Sequence, residues 1–478
     1  MTRIVLICLF LFSQSLFSVY GQDTSIRIFE GSWLGRISVN SLSLRIVFNL
    51  SVTGRDSLIA AMDSPDQGAK NIRLGPVTAE GNKIKISAGA LLAEYNGFLK
   101  NDTLIEGTWT QAGREFPLDL KKLSGSFTIN RPQEPKPPFP YKTEEVKFKN
   151  SLHNINIAGT LTMPEGKGPF PAVILVTGSG AQNRDEEIMG HKPFMVIADY
   201  LTRNGIAVLR YDDRGVGGSE GNYAEATSAD LAQDAIASFN YLNERPEIMK
   251  EMTGIAGHSE GGLIAAIAAS SEKRVAFVIS IAGTGVTGEE VLHRQNRDIS
   301  SVASMTPEQI EDNISINKKL FAVLKKEKDN QKAEQKIEAV YRRILNKSGI
   351  SNEEEIEKNL NQLKASFPKT TYNWLRYFIM TDPALFWKKV KCPVLAINGE
   401  KDLQVSADMN LPAIEKALKK GGNNAVTTIK IPGLNHLFQT SRTGAPSEYG
   451  EIEETFSPEA LRIIKDWIAD LVKSQPAF

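Results

Sequence analysis

Two stretches of this chain set a serine among glycines in the pattern Gly-x-Ser-x-Gly: Gly217-Gly218-Ser219-Glu220-Gly221 and Gly257-His258-Ser259-Glu260-Gly261. A serine hydroxyl attacks a carbonyl only when a base takes its proton and the backbone holds the oxygen out in the open. A sharp turn between a strand and a helix achieves that, and it needs small residues two positions either side of the serine. The chain has 37 glycines, so chance supplies the pattern readily and the flanking sequence must choose between the two. Ser259 follows the apolar run Thr253-Gly254-Ile255-Ala256 and precedes Gly262-Leu263-Ile264-Ala265-Ala266-Ile267-Ala268, which reads as a strand followed by an Ala-rich helix. The positive N-terminal end of that helix would face a developing oxyanion. Ser219 sits between Asp212-Asp213-Arg214-Gly215-Val216-Gly217 and the polar Asn222-Tyr223-Ala224-Glu225, which reads as a loop. Ser259 is therefore the candidate nucleophile.

The elements that must position it follow from the periodicity of the chain. Apolar runs at Ala172 to Val176, Ile206 to Leu209, Thr253 to Ala256, Val275 to Ile281, Val394 to Ile397 and Thr427 to Ile431 alternate with helical patterns such as Pro193 to Arg203 and Leu231 to Glu244. Near-continuous Val/Ile/Leu strands between helices predict a mostly parallel sheet covered on both faces. This α/β domain is expected over residues 143–287 and 387–478, closed by an amphipathic helix from Ser457-Pro458 to Lys473. Residues 288–386 break the alternation. They are charged and rich in helix-start signals, Thr306-Pro307-Glu308-Gln309 and Ser351-Asn352-Glu353-Glu354, and predict a helical cap over the strand ends. Within that cap Lys318 to Lys332 is mostly charged and expected to face solvent, whereas Trp374 to Ile379 is its most apolar stretch.

Residues 24–125 read differently. Short alternating runs, such as Leu44 to Phe48, Lys83 to Ile86 and Phe116 to Leu120, are separated by turns such as Glu80-Gly81-Asn82 and predict a small all-β domain, a sandwich or a barrel. Trp33, Tyr95 and Trp109 are expected to fill its core. Five prolines between Pro132 and Pro140 mark residues 126–142 as an extended linker. Residues 1–21 carry Arg3, an apolar run from Ile4 to Phe12, and a small residue at Gly21, which predicts a cleaved signal peptide and export to the periplasm or the medium. The apolar run is too short to span a bilayer. After cleavage Cys392 is the one cysteine left, so no internal disulfide is possible.

Lys plus Arg and Asp plus Glu are each 56, so the net charge is zero. That balance argues against a nucleic-acid binder and gives no electrostatic reason to expect a membrane-surface protein. No His, Cys or carboxylate spacing typical of metal sites is present, and no Lys-Ser/Thr follows the glycines of Gly178-Ser179-Gly180 as a phosphate loop requires. No cofactor or metal is expected.

From about residue 145 to 475 the chain resembles the α/β-hydrolase superfamily, and more closely secreted bacterial carboxylesterases with a β domain in front. The resemblance rests on Thr177-Gly178-Ser179-Gly180, Tyr211-Asp212-Asp213-Arg214-Gly215-Val216-Gly217-Gly218-Ser219, Gly257-His258-Ser259-Glu260-Gly261-Gly262, Asn398-Gly399-Glu400-Lys401-Asp402 and Asn435-His436. In that superfamily nucleophile, acid and base follow in the order Ser, Asp or Glu, His. Of the five histidines, His153, His191, His258, His293 and His436, only His436 lies beyond both Ser259 and the strand at Val394 to Ile397. Glu400 and Asp402 both qualify as the acid by position. The resemblance favours Asp402, at the end of Gly399-Glu400-Lys401-Asp402, with Asp408 as a helix-cap carboxylate. His258 is expected to point away from the pocket, and Asp213 and Arg214 to brace the sheet end.

The oxyanion is expected on the backbone N–H groups of Glu260 and Ser179, with Gly180 close behind as an alternative to Ser179. Gly178, Gly180, Trp374 and Phe378 are candidate substrate contacts. These residues imply a serine carboxylic ester hydrolase acting on a small-molecule ester through an acyl-enzyme. The other readings are a serine peptidase of the same fold, an esterase of carbohydrate esters, and a binding protein in which the β domain matters most. About 100 residues are too few for the propeller that such peptidases carry.

Overall fold

The computed structural model describes residues 26–39, 42–54, 57–67, 69–111 and 113–474. The expected signal segment, 1–21, lies outside them. Among the described residues no helix is long and apolar enough to cross a membrane. The chain divides into two units, one made mostly of residues up to Phe127 and one made mostly of residues from Thr128 on, to which the short segments 38–44 and 65–68 are also assigned.

The first unit is all β. Its strands are β1 (Gly31–Val39), β2 (Leu42–Thr53), β3 (Ser57–Ser64), β4 (Ala69–Arg73), β5 (Val77–Glu80), β6 (Lys83–Ala88), β7 (Ala93–Asn101), β8 (Leu104–Gln111), β9 (Arg114–Pro117) and β10 (Leu120–Lys122). They pair in the order β4-β3-β2-β1-β10-β8-β7-β6-β5, with β9 also on β8. Phe48 on β2 lies 5.3 Å from Tyr95 on β7 and 6.0 Å from Trp109 on β8, ring centre to ring centre. In a flat sheet strands four steps apart would be roughly 19 Å apart. The sheet therefore curls around these rings. Trp33, Tyr95 and Trp109 are all buried, as core residues of a small β unit should be.

The second unit carries β11 (Lys142–Asn150), β12 (Ile155–Met163), β13 (Phe170–Val176), α1 (Pro193–Arg203), β14 (Ala207–Tyr211), α2 (Ser228–Asn243), β15 (Ile248–His258), α3 (Glu260–Ser271) and β16 (Val278–Ile281). Six helices follow: α4 (Gly288–Val302), α5 (Pro307–Lys326), α6 (Asn330–Lys347), α7 (Glu353–Ser366), α8 (Tyr372–Met380) and α9 (Ala384–Trp387). Then come β17 (Val394–Gly399), α10 (Ala407–Lys420), β18 (Val426–Ile431) and α11 (Pro458–Ser474). The sheet order is β11-β12-β14-β13-β15-β16-β17-β18. This is the α/β-hydrolase architecture with a helical insertion between β16 and β17.

The sheet is mixed. From β14 to β18 every pairing is parallel, but β11 pairs β12 and β12 pairs β14 antiparallel. The apolar-run pattern does not mark β11, which alternates polar and apolar residues, or β12, whose buried positions include Gly159, Thr160 and Thr162. Along β13, Val173 and Leu175 pack with Phe194, Leu201, Leu461 and Ile464 on the α1/α11 side, whereas Ile174 and Val176 pack with Phe239, Leu263 and Ala266 on the α2/α3 side. Burial on both faces is why the strand reads as unbroken Ala-Val-Ile-Leu-Val.

Three local expectations change. The proline-rich segment is no free spacer. Arg131 donates to the carbonyls of Met189, Gly190, Gly450 and Ile452, and Gln133 bonds Thr455 and Phe456. The Arg131 and Gln133 side chains supply hydrogen bonds in a stretch where each proline lacks a backbone N–H donor. Helix α7 is capped by Asn352, whose side chain accepts from Glu355 N–H, one residue later than the Ser351 cap expected from the sequence. The Lys318 to Lys332 run is not simply a solvated face: Leu320, Phe321 and Leu324 pack with Ala333, Ile337, Leu375 and Ile379 to form the core of the cap.

Beside the sheet, Arg214 donates to both oxygens of Asp234 at 2.7 and 2.9 Å and to Asp230 O, while Asn150 on β11 donates to Asp234 at 2.7 Å. Arg214 thus ties the loop after β14 to α2, as its position predicted. Both charged side chains are buried. Removing one partner of such a pair strands the other charge, which typically costs about 3–5 kcal/mol. Asp234→Ala should lower full-chain stability by about that much in urea denaturation; a loss below about 1 kcal/mol would mean that the pair is not a strong brace.

Candidate active site

Ser259 stands between β15 and α3 at φ 56° and ψ −120°. This is a rare conformation for a residue with a Cβ, and it is held by tight packing on either side. A Cβ at Gly257 would lie 1.9 Å from Gly261 O, and one at Gly261 would lie 2.3 Å from Val176 O. Ser259 N–H donates to Ile281 O on the neighbouring strand at 2.8 Å, which anchors the turn to the sheet. Ser219 has a different setting. Its hydroxyl donates to Asp212 O at 2.7 Å and accepts from Ala158 N–H at 2.9 Å, so it pins its own loop.

Asp402 follows β17 and His436 follows β18. Oδ1 of Asp402 accepts from the N–H groups of Gln404 and Val405, both at 2.8 Å, which leaves Oδ2 for His436 Nδ1, also at 2.8 Å. The two loops are stitched together. Lys401 N–H donates to Leu434 O, Gly433 N–H donates to Glu400, and a Cβ at Gly399 would lie 2.3 Å from Leu434 O. Asn435, fully buried, holds the His436 loop through Leu437 N–H, Gln439 N–H and the Gln439 side chain. Glu400 is thus a loop brace, and Asp408 is an exposed partner of Lys430.

Ser259 and His436 line one cavity of about 260 Å³ together with Gly178, Ser179, Trp374 and Phe378. Val291, Leu292 and Gln295 of α4 and the two aromatics of α8 close it from the cap side. Trp374 and Phe378 stack at 5.5 Å. Gly180 does not line this cavity. With Ser179, Tyr223, Thr370, Thr371 and Trp374 it lines a neighbouring one of about 550 Å³.

Hydrogen-bond accounting separates the candidate oxyanion donors. Gly178 N–H is committed to Glu186 at 2.8 Å, and Gly180 N–H to the Tyr223 hydroxyl at 2.9 Å. Ser179 N–H has no acceptor among the described residues. Glu260 is the first residue of α3, where backbone N–H groups lack helical partners. Gly178 also lies against Ser259, since a Cβ there would come within 3.1 Å of Ser259 Cβ.

Three side chains were not legible as site elements. His258 does not point away from the pocket. It lines the cavity, its ring centre 4.8 Å from that of His436. Its Nδ1 is 2.9 Å from Glu186, and its Nε2 is 3.0 Å from His436 O. Glu186 itself is buried and joins His258 to the Gly178 loop. The Glu260 side chain, also buried, accepts from Ser179 Oγ at 2.6 Å, Ser228 Oγ at 2.5 Å and Trp374 Nε1 at 2.8–2.9 Å. Burial pushes the Glu260 carboxyl up, and those three hydrogen bonds pull against the rise. Nothing in the sequence marks Glu186 as special, because its contact with His258, 72 residues away, arises only from the fold.

The remaining polar residues around the strand ends pair with one another. Arg184 bonds Asp212 and Glu145, Arg210 pairs with Asp185, and His191 bonds Thr455 and Tyr449 O. Asp213 accepts from Thr177 and Gln182 N–H, and burial pushes its carboxyl up to about 8. Burial also pushes the Cys392 thiol up to about 12, which keeps it unreactive. Among the described residues no group of three His, Cys, Asp or Glu side chains is arranged to hold a metal ion.

Residues 192–440, just over half of the chain, match the sequence profile of the family described as serine aminopeptidase, S33, and the chain belongs to this α/β-hydrolase family. It is 28% identical over 311 residues to esterase EstD of Thermotoga maritima, covering 64% of this chain and 65% of that one. It is 30% identical over 138 residues to thiohydrolase aneE of Aspergillus aculeatus, covering 29% of this chain and 40% of that one. The chain thus spans under two thirds of the length of either relative. Among solved structures, an esterase of Pyrococcus furiosus, Pf2001, superposes with a TM-score of 0.41 at 16% identity, over 69% of this chain and 93% of that one.

Burial opposes a charge on His258, but the Glu186 charge, its hydrogen bond, the His436 carbonyl and Asp402 outweigh it and raise the pKa above the ordinary imidazole value. A raised folded pKa gives stability that is full below the unfolded value of about 6.5 and is lost as pH rises through the folded one. The melting-temperature gap between wild type and His258→Gln should therefore be wider at about pH 5.5 than at about pH 9. A gap independent of pH would mean that His258 is not charged beside Glu186.

Proposed function

We propose that this chain is a carboxylic ester hydrolase that works through an acyl-enzyme, with Ser259, His436 and Asp402 as its triad. The observation that carries the reading is the 2.8 Å bond from His436 Nδ1 to Asp402, at a cavity that also holds Ser259 on its strained turn. Asp402 fixes the tautomer in which Nδ1 carries hydrogen and Nε2 is free to accept a proton. Ser259 Oγ attacks the ester carbonyl as its proton passes to His436 Nε2. The oxygen of the tetrahedral intermediate takes hydrogen bonds from Ser179 N–H and Glu260 N–H. Collapse breaks the bond to the alcohol oxygen, which leaves with the proton from His436. Water then attacks the acyl carbonyl and gives its proton to His436, and Ser259 departs with that proton as the acid is released.

An ester suits the cavity better than an N-terminal peptide. Capture of a terminal ammonium calls for a carboxylate facing the substrate. Glu186 is the one acid among the cavity-lining residues, and it is committed to Gly178 N–H and His258. The other polar side chains around the cavity include Gln182, Gln295 and Gln404, all neutral. The similarity to an esterase and a thiohydrolase supports acyl transfer to water from an oxygen or sulfur leaving group. Small acyl groups fit a volume of about 260 Å³, and the apolar faces of Trp374, Phe378, Val291 and Leu292 favour alkyl or aryl chains over charged ones.

Ser259→Ala should lower turnover of a small aryl ester by at least about 10³-fold, whereas Ser219→Ala should keep most of it. A fluorophosphonate probe should label the wild type and the Ser219 variant but not the Ser259 variant. Labelling that survives Ser259→Ala and vanishes in Ser219→Ala would overturn the assignment.

A further inference from the structure

The carboxylate of Glu260 is fully buried one residue beyond the nucleophile, in an enzyme that must stabilise negative charge at that very place. Ionisation of a buried carboxyl there works against a developing oxyanion, so its presence calls for a compensating gain. Its hydrogen bonds identify that gain. Oε2 accepts from the hydroxyl of Ser179, whose backbone N–H is the one unengaged amide of Gly178-Ser179-Gly180. Oε1 accepts from the hydroxyl of Ser228 at the start of α2. Both oxygens share the indole N–H of Trp374, which belongs to cap helix α8.

Glu260 therefore touches both halves of the candidate oxyanion hole. Its main chain carries one N–H, and its side chain holds the residue that carries the other. The spacing between two amides on separate elements, one after β13 and one opening α3, would otherwise depend on loop conformation alone. The flanking amides are already fixed from elsewhere, Gly178 by Glu186 and Gly180 by Tyr223, so Ser179 is the one position of that loop whose hydroxyl is aimed at α3. The cap enters through Trp374, whose ring forms part of the wall of the catalytic cavity and also of the larger neighbouring cavity.

We propose that Glu260 is a positioning residue that clamps the Ser179 loop to the start of α3 and, through Trp374, makes the geometry of the oxyanion hole depend on the docked cap. This rests on the acyl-enzyme reading of the same site. Three donors spread the charge of the carboxylate away from the reacting carbonyl while keeping the clamp closed. Ester substrates are thus turned over at full rate only with α8 seated. A substrate that displaces the Trp374 indole binds but reacts slowly.

Ser179→Ala tests the clamp most cleanly, because it keeps the backbone N–H and removes only the tether. Loss of a whole oxyanion donor costs about 10²–10³-fold in kcat, and displacement of one should cost about 10–100-fold. Ser179→Ala should therefore lower kcat on a p-nitrophenyl ester by about 10–100-fold with KM within about threefold of wild type, and Trp374→Phe, which also reshapes the cavity wall, should lower kcat as well. Affinity for a trifluoromethyl ketone, which forms a tetrahedral adduct on the serine, should fall by the same factor as kcat/KM. Glu260→Gln should act in the same direction, and Ser179→Thr, which restores the hydroxyl, should recover most of the rate. An unchanged kcat in Ser179→Ala, a loss confined to KM, or unchanged affinity for the ketone overturns the clamp. Fluorophosphonate labelling of wild-type Ser259 separates this failure from that of the parent reading: a labelled wild type with indifferent variants removes the clamp alone, and an unlabelled wild type removes both.

Discussion

The left-handed backbone at Ser259 is the constraint on which the rest of the second unit depends. A residue with a side chain holds such a conformation at a cost of order 1–3 kcal/mol and only when its surroundings leave no alternative. Here the surroundings are two glycines with no space for a methyl group, a hydrogen bond to Ile281 O, and a helix that begins at the next residue and is buried from Glu260 to Ala269. The parallel run from β13 to β16 supplies the rigid frame, and α3 is buried on nearly every face from Glu260 to Ala269, which is why its sequence is Gly- and Ala-rich rather than amphipathic.

The proposed acid and base, Asp402 and His436, answer to the same frame. They sit after β17 and β18, adjacent parallel strands whose ends are joined by backbone bonds between their loops. Asp402 spends one oxygen on two loop amides, so the direction of the other is set before any substrate arrives. The sheet thus converts three positions far apart in sequence into one cavity, and the buried carboxylates Glu186 and Glu260 tie in what the sheet does not reach, the loop after β13 and the cap.

Much of this was legible in the residues. Strands that are covered on both faces announce themselves as apolar runs, and a turn that admits only glycine at two positions leaves its own mark, so β13, β15, α3 and the Ser259 turn could be placed. The order of Ser259, Asp402 and His436 came from family resemblance rather than from spacing. What stayed hidden was of two kinds. Strand β11 is an edge strand that alternates polar and apolar residues, so the antiparallel start of the sheet through β11 and β12 was not expected. Side-chain bonds across 72 to 178 residues, such as Glu186 to His258 and His258 to His436 O, depend on tertiary proximity that no local pattern encodes. Trp374 shows the difference well: its apolar character fits either packing of the cap onto the sheet or a place in the cavity wall, and the direction of its indole N–H toward Glu260 follows only from where α8 docks.

The proline-rich stretch has a consequence for how this protein could be rearranged in evolution. Arg131 and Gln133 satisfy carbonyls and amides of the loops at 189–190 and 450–456, which flank the α/β core from opposite ends of its sequence. Gene fusions that swap or delete the β unit therefore have a preferred break point. A junction ahead of Thr128 carries the prolines along with the hydrolase as an inherited strap, whereas a junction at β11 would leave several buried polar groups without their partners, each at a cost of about 1–3 kcal/mol. The module that recombination can move intact is thus longer at its front than the sheet itself.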